Sequence, residues 1–167
     1  NSVLRLDFSQ SRSRWAWKLE VEQPTLFGLP ADATVQGAPL GLGDFYYAAN
    51  QNQRNSGGLF LRQGYLRLRG LAHNHDTLQL GRFEFADGAE GIAGDASLSW
   101  IRGNRIAGRL FGPADWTAAG RTLDGVQFAD EMGKNSVTFV AGRPTEGLYQ
   151  TSGWRDMDVD ILYASYT

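Results

Sequence analysis

The sequence predicts an all-β chain: an antiparallel meander forming part of a transmembrane outer-membrane β-barrel, with long external loops and one short helix. Three observations carry this expectation. Apolar and polar residues alternate with period two through several segments, as they do in strands with two unlike faces. The connections alternate between short and long, so in an antiparallel meander all the short ones fall at one end. The composition, with 21 glycines and 12% aromatic residues in 167 positions, suits strands and turns better than helices.

The first strand is expected at about Val3 to Ser9, where Leu4, Leu6 and Phe8 alternate with Arg5 and Asp7. A polar turn at Gln10 to Ser13 leads to a second strand, Arg14 to Gln23. Here Trp15, Trp17, Leu19 and Val21 occupy one face, and Ala16, Lys18, Glu20 and Glu22 the other. Trp15 and Trp17 lie near the short turn, where an interfacial aromatic girdle would sit. A long Gly-, Pro-, Asn- and Gln-rich segment, Pro24 to Gly57, separates this hairpin from a third strand, Gly58 to Leu71. In that strand Tyr65, Arg67 and Arg69 oppose Gly64, Leu66 and Leu68. The short turn Ala72 to Asp76 precedes a fourth strand, Thr77 to Ala86.

A second long segment runs from Asp87 to Gly120. Within it Asp95 is placed to cap a helix continuing through Trp100 and Ile106 to Leu110, with Gly103 and Gly108 weakening it. Arg102, Arg105 and Arg109 share one face of that helix. Such a basic cluster suits either attraction of polyanions at a pore mouth or pairing with acidic neighbours. The fifth strand is expected at Arg121 to Asp130 and the sixth at Val137 to Arg143. A medium loop, Pro144 to Arg155, leads to a last strand, Asp156 to Tyr166. Both long segments exceed the ~12–15 residues usual for an unstructured connection, which calls for a functional reason.

Composition and charge bound the function. The net charge of −2 argues against nucleic acid as a partner. The absence of cysteine excludes disulfides and thiolate metal sites. No segment resembles a secretory signal, and no apolar stretch is long enough for a transmembrane helix. Neither feature excludes a barrel, whose strands show lipid only every second residue. Of the 16 basic residues all but Lys18 and Lys134 are arginine. Arginine presents a planar fork to carboxylates, so this bias fits ordered ion-pair ladders or an anionic ligand. It equally fits the codon usage of a GC-rich genome.

Two runs, Arg62-Gln63-Gly64-Tyr65-Leu66-Arg67-Leu68 and Leu80-Gly81-Arg82-Phe83-Glu84-Phe85-Ala86-Asp87-Gly88, resemble consecutive strands of the alginate export family of outer-membrane porins. So do the stretch Trp100 to Pro113, then Arg121-Thr122-Leu123-Asp124-Gly125-Val126, and the tail Phe139 to Pro144 with Val159 to Ala164. Order and spacing match over most of the chain. The resemblance implies a monomeric barrel in the bacterial outer membrane, in contact with lipid. It also implies an Arg-rich lumen passing an anionic polysaccharide or small anionic solute by diffusion, without a cofactor. Arg67, Arg69, Arg82, Arg121 and Arg143 would stand at or near the pore, with Glu84 and Asp124 as carboxylate partners. Arg67 and Arg69 have independent support, since their face opposes Leu66 and Leu68. Arg82 and Glu84 share parity with Leu78 and Leu80, so a bulge near Gly81 is expected; Asp124 shares parity with Val126 and Phe128. An unpaired excess of arginine would bind the carboxylates of a passing uronate chain.

About seven strands are expected, whereas single-chain bacterial barrels are closed and even-numbered. The chain therefore reads as a fragment, roughly the first half of a larger barrel. Other chemistries find little support. Glu20 with Glu22, and Asp158 with Asp160, have the spacing of paired carboxylates, but such pairs are commonplace on solvated strands. His73, His75 and Asp76 read as polar turn residues; no metal is expected. Gly41-Leu42-Gly43 lacks the following Lys-Ser/Thr of a phosphate loop. The expectation is not an enzyme. The competing class is a soluble carbohydrate-binding β-sandwich, which alternation alone fits as well.

Overall fold

The computed structural model describes residues 1–30, 41–88, 95–108, 110–133 and 135–167, with the side chains of 102 and 106 left aside. The expected meander is present. Strands β1 (Ser2–Ser11), β2 (Trp15–Leu26), β4 (Phe60–Arg69), β5 (Asp76–Phe83), β6 (Leu123–Met132), β7 (Asn135–Pro144) and β8 (Ile161–Tyr166) pair in sequence order. Every pairing is antiparallel, and a two-residue strand β3 (Ser56–Gly57) pairs with the end of β2. The last strand is shorter than the expected Asp156 to Tyr166. Its predecessor residues bend instead, with the Val159 amide donating to the Met157 carbonyl at 2.8 Å.

The sheet is open. Among the described residues β1 pairs only with β2, β8 pairs only with β7, and no second sheet packs on the first. The short turns all lie at one end and the three long connections at the other, as a nearest-neighbour antiparallel order requires. At the short-turn end the Asp76 carboxylate accepts the backbone N–H groups of Leu71, Ala72 and His73 at 2.6–2.9 Å. His73 and His75 both turn Nδ1 toward Asp130, at 3.1 and 3.4 Å.

Cross-strand register explains the two faces. One row reads Trp17, Leu66, Leu80, Val126, Ala141, Leu162; the next reads Trp15, Leu68, Leu78, Phe128, Phe139, Ala164. Both rows are wholly apolar and point away from the loops' packing, with Leu162 86% and Phe139 53% exposed. On β1, Leu4, Leu6 and Phe8 extend this band opposite Gln23, Val21 and Leu19. The opposite face holds Ala16, Arg67, Gln79, Gln127, Val140 and Tyr163 in one row. There Glu20, Glu22 and Gln79 are buried. The usual arrangement of a solvated sheet is thus inverted, with aliphatic side chains outward and charge inward.

A glycine row, Gly81, Gly125 and Gly142, crosses three strands on the inner face. A Cβ on any of them would collide with the backbone of the neighbouring strand, so only glycine permits so close an approach. Beside this row Phe83, Phe85, Leu123 and Val140 form a buried cluster against Tyr65, Ile161 and Tyr163.

The expected loop helix is present but shorter. Asp95 caps it, its Oδ1 accepting from the amides of Ser97 and Leu98 at 2.9 and 3.0 Å. Helix α2 covers Ala96–Ile101, widens into a π-helical turn at Arg102–Ile106, and stops before Gly108, which takes φ +70°. Leu110, expected within it, is 89% exposed. A further helix, α1 (Leu42–Ala49), lies in the first long connection. The Asp44 carboxylate at its third position accepts the Gly41 amide at 3.0 Å, one half of a capping box that glycine cannot complete.

Candidate functional site

The inner face and the three long connections meet at one end of the sheet, and the charged groups concentrate there. Arg62 is the centre. Glu20 pairs in register with Gln63 and Val21 with Leu61, so Arg62 is an extra residue on β4. This bulge turns its side chain to the same side as Gln63, and both are buried. The Arg62 guanidinium donates to Glu84 Oε1 at 2.6 and 2.9 Å and to Asp115 Oδ1 at 2.6 Å. It also reaches Glu22 Oε2 at 3.3 Å, Glu20 Oε1 at 3.4 Å and the Ala119 carbonyl at 3.1 Å. Arg5 on β1 holds Glu22 at 2.7 Å and Glu20 at 3.2 Å, while Lys18 bridges Asp7 and Glu20 at 2.8 and 2.7 Å.

This network joins three cations to five carboxylates, a ladder of paired charges along this wall. Sequence alternation placed Glu20 and Glu22 on the polar face. It missed Arg62, because a bulge leaves no mark in a period-two pattern.

A second cluster gathers Arg82, Asp124, Asp156, Arg143 and Asp160. Arg82 makes a two-pronged contact with Asp124, its Nε donating to Oδ1 at 2.7 Å. It also donates to the carbonyls of Leu61 at 3.1 Å and Gly153 at 2.7 Å, and lies over the Trp154 ring. Asp156 stands 3.6 Å away. Burial and the adjacent Asp124 carboxylate push the Asp156 carboxyl above its ordinary value. Arg143 is exposed and donates to Asp160 at 2.7 Å, which holds the Asp160 carboxyl below its ordinary value.

The bulge expected near Gly81 is absent: both neighbouring ladders run through it without a shift. Gly81 instead takes φ +119°. Arg82 keeps the parity of Leu80, yet Leu80 is exposed while Arg82 is buried under the 153–154 backbone.

The remaining predicted residues divide by partner. Arg67 lies on the inner face, donates to Gln79 at 2.8 Å and covers the Tyr65 ring. Arg69 lies at the short-turn end, bonded to the Ser11 hydroxyl and the Arg12 carbonyl at 3.3 and 2.9 Å. Arg121 precedes β6 and has no ion pair among the described residues; its Nε is buried without a partner. Arg105 lies over the Trp100 ring, while the Arg102 side chain and Arg109 lie outside the described residues.

The long connections are tied to each other. Asn50 at the end of α1 donates to the Tyr149 carbonyl at 2.9 Å and accepts from the Thr151 amide and hydroxyl at 3.2 and 3.0 Å. Tyr149, at φ +61°, stacks on Phe45 and meets Tyr46 and Trp116 edge-on. The Tyr46 hydroxyl accepts the Ala118 amide at 2.6 Å, and burial raises its pKa. Leu26, Leu29 and Tyr46 close the base of this aromatic cluster.

The chain matches no protein-family model, no curated protein and no solved structure.

Proposed function

We propose that the chain is a segment of an outer-membrane β-barrel porin, of the kind the alginate export family represents, passing anionic oligo- or polysaccharides by diffusion. The observation that carries this reading is the inverted sheet: two six-strand rows of apolar side chains face outward and the ion-paired Arg5, Lys18, Arg62, Glu20 and Glu22 face inward, while the row Arg82, Asp124 and Arg143 shares the outward parity at the loop end. In a bilayer the outward rows meet acyl chains, and the inward charges meet water and each other. A soluble sandwich would press those rows against a second sheet, and the described residues contain none. The segregation of short turns from long, mutually tied connections fits periplasmic and external ends.

The anionic solute rests on narrower support. Arg62, Arg82 and Arg143 are engaged by carboxylates, whereas Arg67, Arg69 and Arg121 have none among the described residues. Those three supply the guanidinium groups a uronate could approach. Planar-bilayer recording of the full-length protein tests the reading. Discrete channels with anion selectivity are expected; cation selectivity would overturn the solute, and the absence of channels would overturn the porin.

A further inference from the structure

The outward face is not even. Between β6, β7 and β8 it carries a hollow of about 310 Å³, lined by Val126, Phe128, Phe139, Ala141, Leu162 and Ala164. The register explains its shape. Ala141 stands between Val126 and Leu162, and Phe139 stands between Phe128 and Ala164. Small and large side chains therefore alternate along and across the strands, and the two alanines leave space that their neighbours do not fill. Every side chain named is apolar, so the hollow suits a hydrocarbon chain.

Its loop end is different. Arg143 follows Ala141 by two residues, on the same face and about 7 Å further along β7. Asp160, just before β8, accepts from the Arg143 Nε at 2.7 Å. Both side chains are open to the surroundings, at 50% and 76% exposure. That contact uses only one corner of the guanidinium. The two terminal nitrogens of Arg143 have no acceptor among the described residues. Asp158 and Asp156 also bear on Arg143, so the carboxylates around it outnumber it.

This rim discriminates among lipid heads. A purely anionic head would reach Arg143 only by approaching the surrounding carboxylates. A phosphoethanolamine head carries both signs: its phosphate fits the open edge of the arginine fork, and its ammonium donates to Asp160. A phosphocholine head has the same charges but no N–H to donate. We propose that this hollow docks one phospholipid with a phosphoethanolamine head, an acyl chain lying over Ala141 and the phosphate on Arg143. The site rests on the reading of the outward rows as lipid-facing, and is independent of what crosses the pore.

The test is native mass spectrometry of the full-length protein released from nonionic detergent micelles. It is titrated with phosphatidylethanolamine, phosphatidylcholine and phosphatidylglycerol of identical acyl chains. One retained phosphatidylethanolamine is expected, bound about fivefold or more tighter than either of the others, the scale of an exposed charged contact. Arg143→Gln removes that preference, and Asp160→Asn reduces phosphatidylethanolamine to the level of phosphatidylcholine. Ala141→Leu, which fills the hollow and keeps the face apolar, weakens all three lipids. Equal retention of the three lipids by the wild-type protein would overturn the site, as would tighter binding of phosphatidylglycerol. So would a preference in Arg143→Gln within about twofold of wild type. A lipid-free dimer would show the face closed by a second copy and would also overturn it. Selective, Arg143-dependent binding in a protein whose Leu66→Arg variant is as stable as wild type would keep the site and remove the membrane reading. Unselective binding in a protein for which Leu66→Arg is costly would do the reverse.

Discussion

Arg62 concentrates the energetics of the inner face at one side chain. Its guanidinium serves Glu84, Asp115, Glu22 and the Ala119 carbonyl together, and it is almost wholly buried. Removing its charge leaves Glu84 and Asp115 without their counter-ion and Glu20 and Glu22 with only Arg5 and Lys18, and breaking an ion pair at a buried charge costs about 3–5 kcal/mol. Arg62→Gln is therefore expected to lose that much stability, measured as the shift in urea unfolding midpoint of detergent-folded protein. Arg62→Lys recovers only part, since one ammonium cannot span acceptors arranged for a fork. A loss below about 1 kcal/mol would mean that the cluster is hydrated and behaves as surface ion pairs do. Its partners Glu20 and Glu22 were legible from alternation with Trp17, Leu19 and Val21. Arg62 was not, because its inward turn comes from the extra residue opposite the Glu20–Val21 step.

At the level of elements, the connection after β7 is held by contacts whose strength depends on pH. The Met157 amide donates to the Pro144 carbonyl at 2.8 Å, and Asp156 lies against Arg82 and Asp124. The Asp156 carboxyl titrates above its ordinary value of 3.8 when the segment is docked. The docked state therefore binds its proton more tightly than the released one. The stability this contributes is complete below 3.8 and is lost as pH rises through the raised value. Asp160 has the opposite sign: its contribution is present above 3.8 and is lost only as pH falls through its lowered value. In the window just above 3.8 the Asp156 effect acts alone. Exchange of the Met157 amide, corrected for intrinsic rate, is expected to slow as pH falls toward 3.8, and Asp156→Asn is expected to abolish that trend. Undiminished pH dependence in Asp156→Asn would assign it to another group. This loop was legible in the sequence at Pro144 to Arg155. Its docking on Arg82 was not, because Arg82 and Gly153 are far apart in the chain.

For the whole molecule, the decisive question is what covers the outward rows. Leu66 sits mid-strand on β4 between Trp17 and Leu80, and is 42% exposed. If lipid covers it, Leu66→Arg costs about 2–4 kcal/mol at the bilayer midplane. If water covers it, the same change falls within about 0.5 kcal/mol. Urea titration of folding into phospholipid vesicles, compared with the wild-type protein, distinguishes the two. A penalty within the aqueous range would remove the membrane reading.

Periodicity alone determined that this chain forms antiparallel strands with one apolar and one charged face, because a strand's side chains must alternate whatever surrounds them. It also set the ends at which short turns and long connections fall. It could not tell which face is outward, since alternation is symmetric between a sandwich and a barrel wall. Tertiary structure shows which face the long connections cover: Glu20 and Glu22 are buried, and Trp15, Leu66, Phe139 and Leu162 are left exposed. It also decided which arginines are free to meet an anion. That depends on carboxylates brought from distant loops, such as Asp115 to Arg62 and Asp160 to Arg143, and among the described residues none is paired with Arg121.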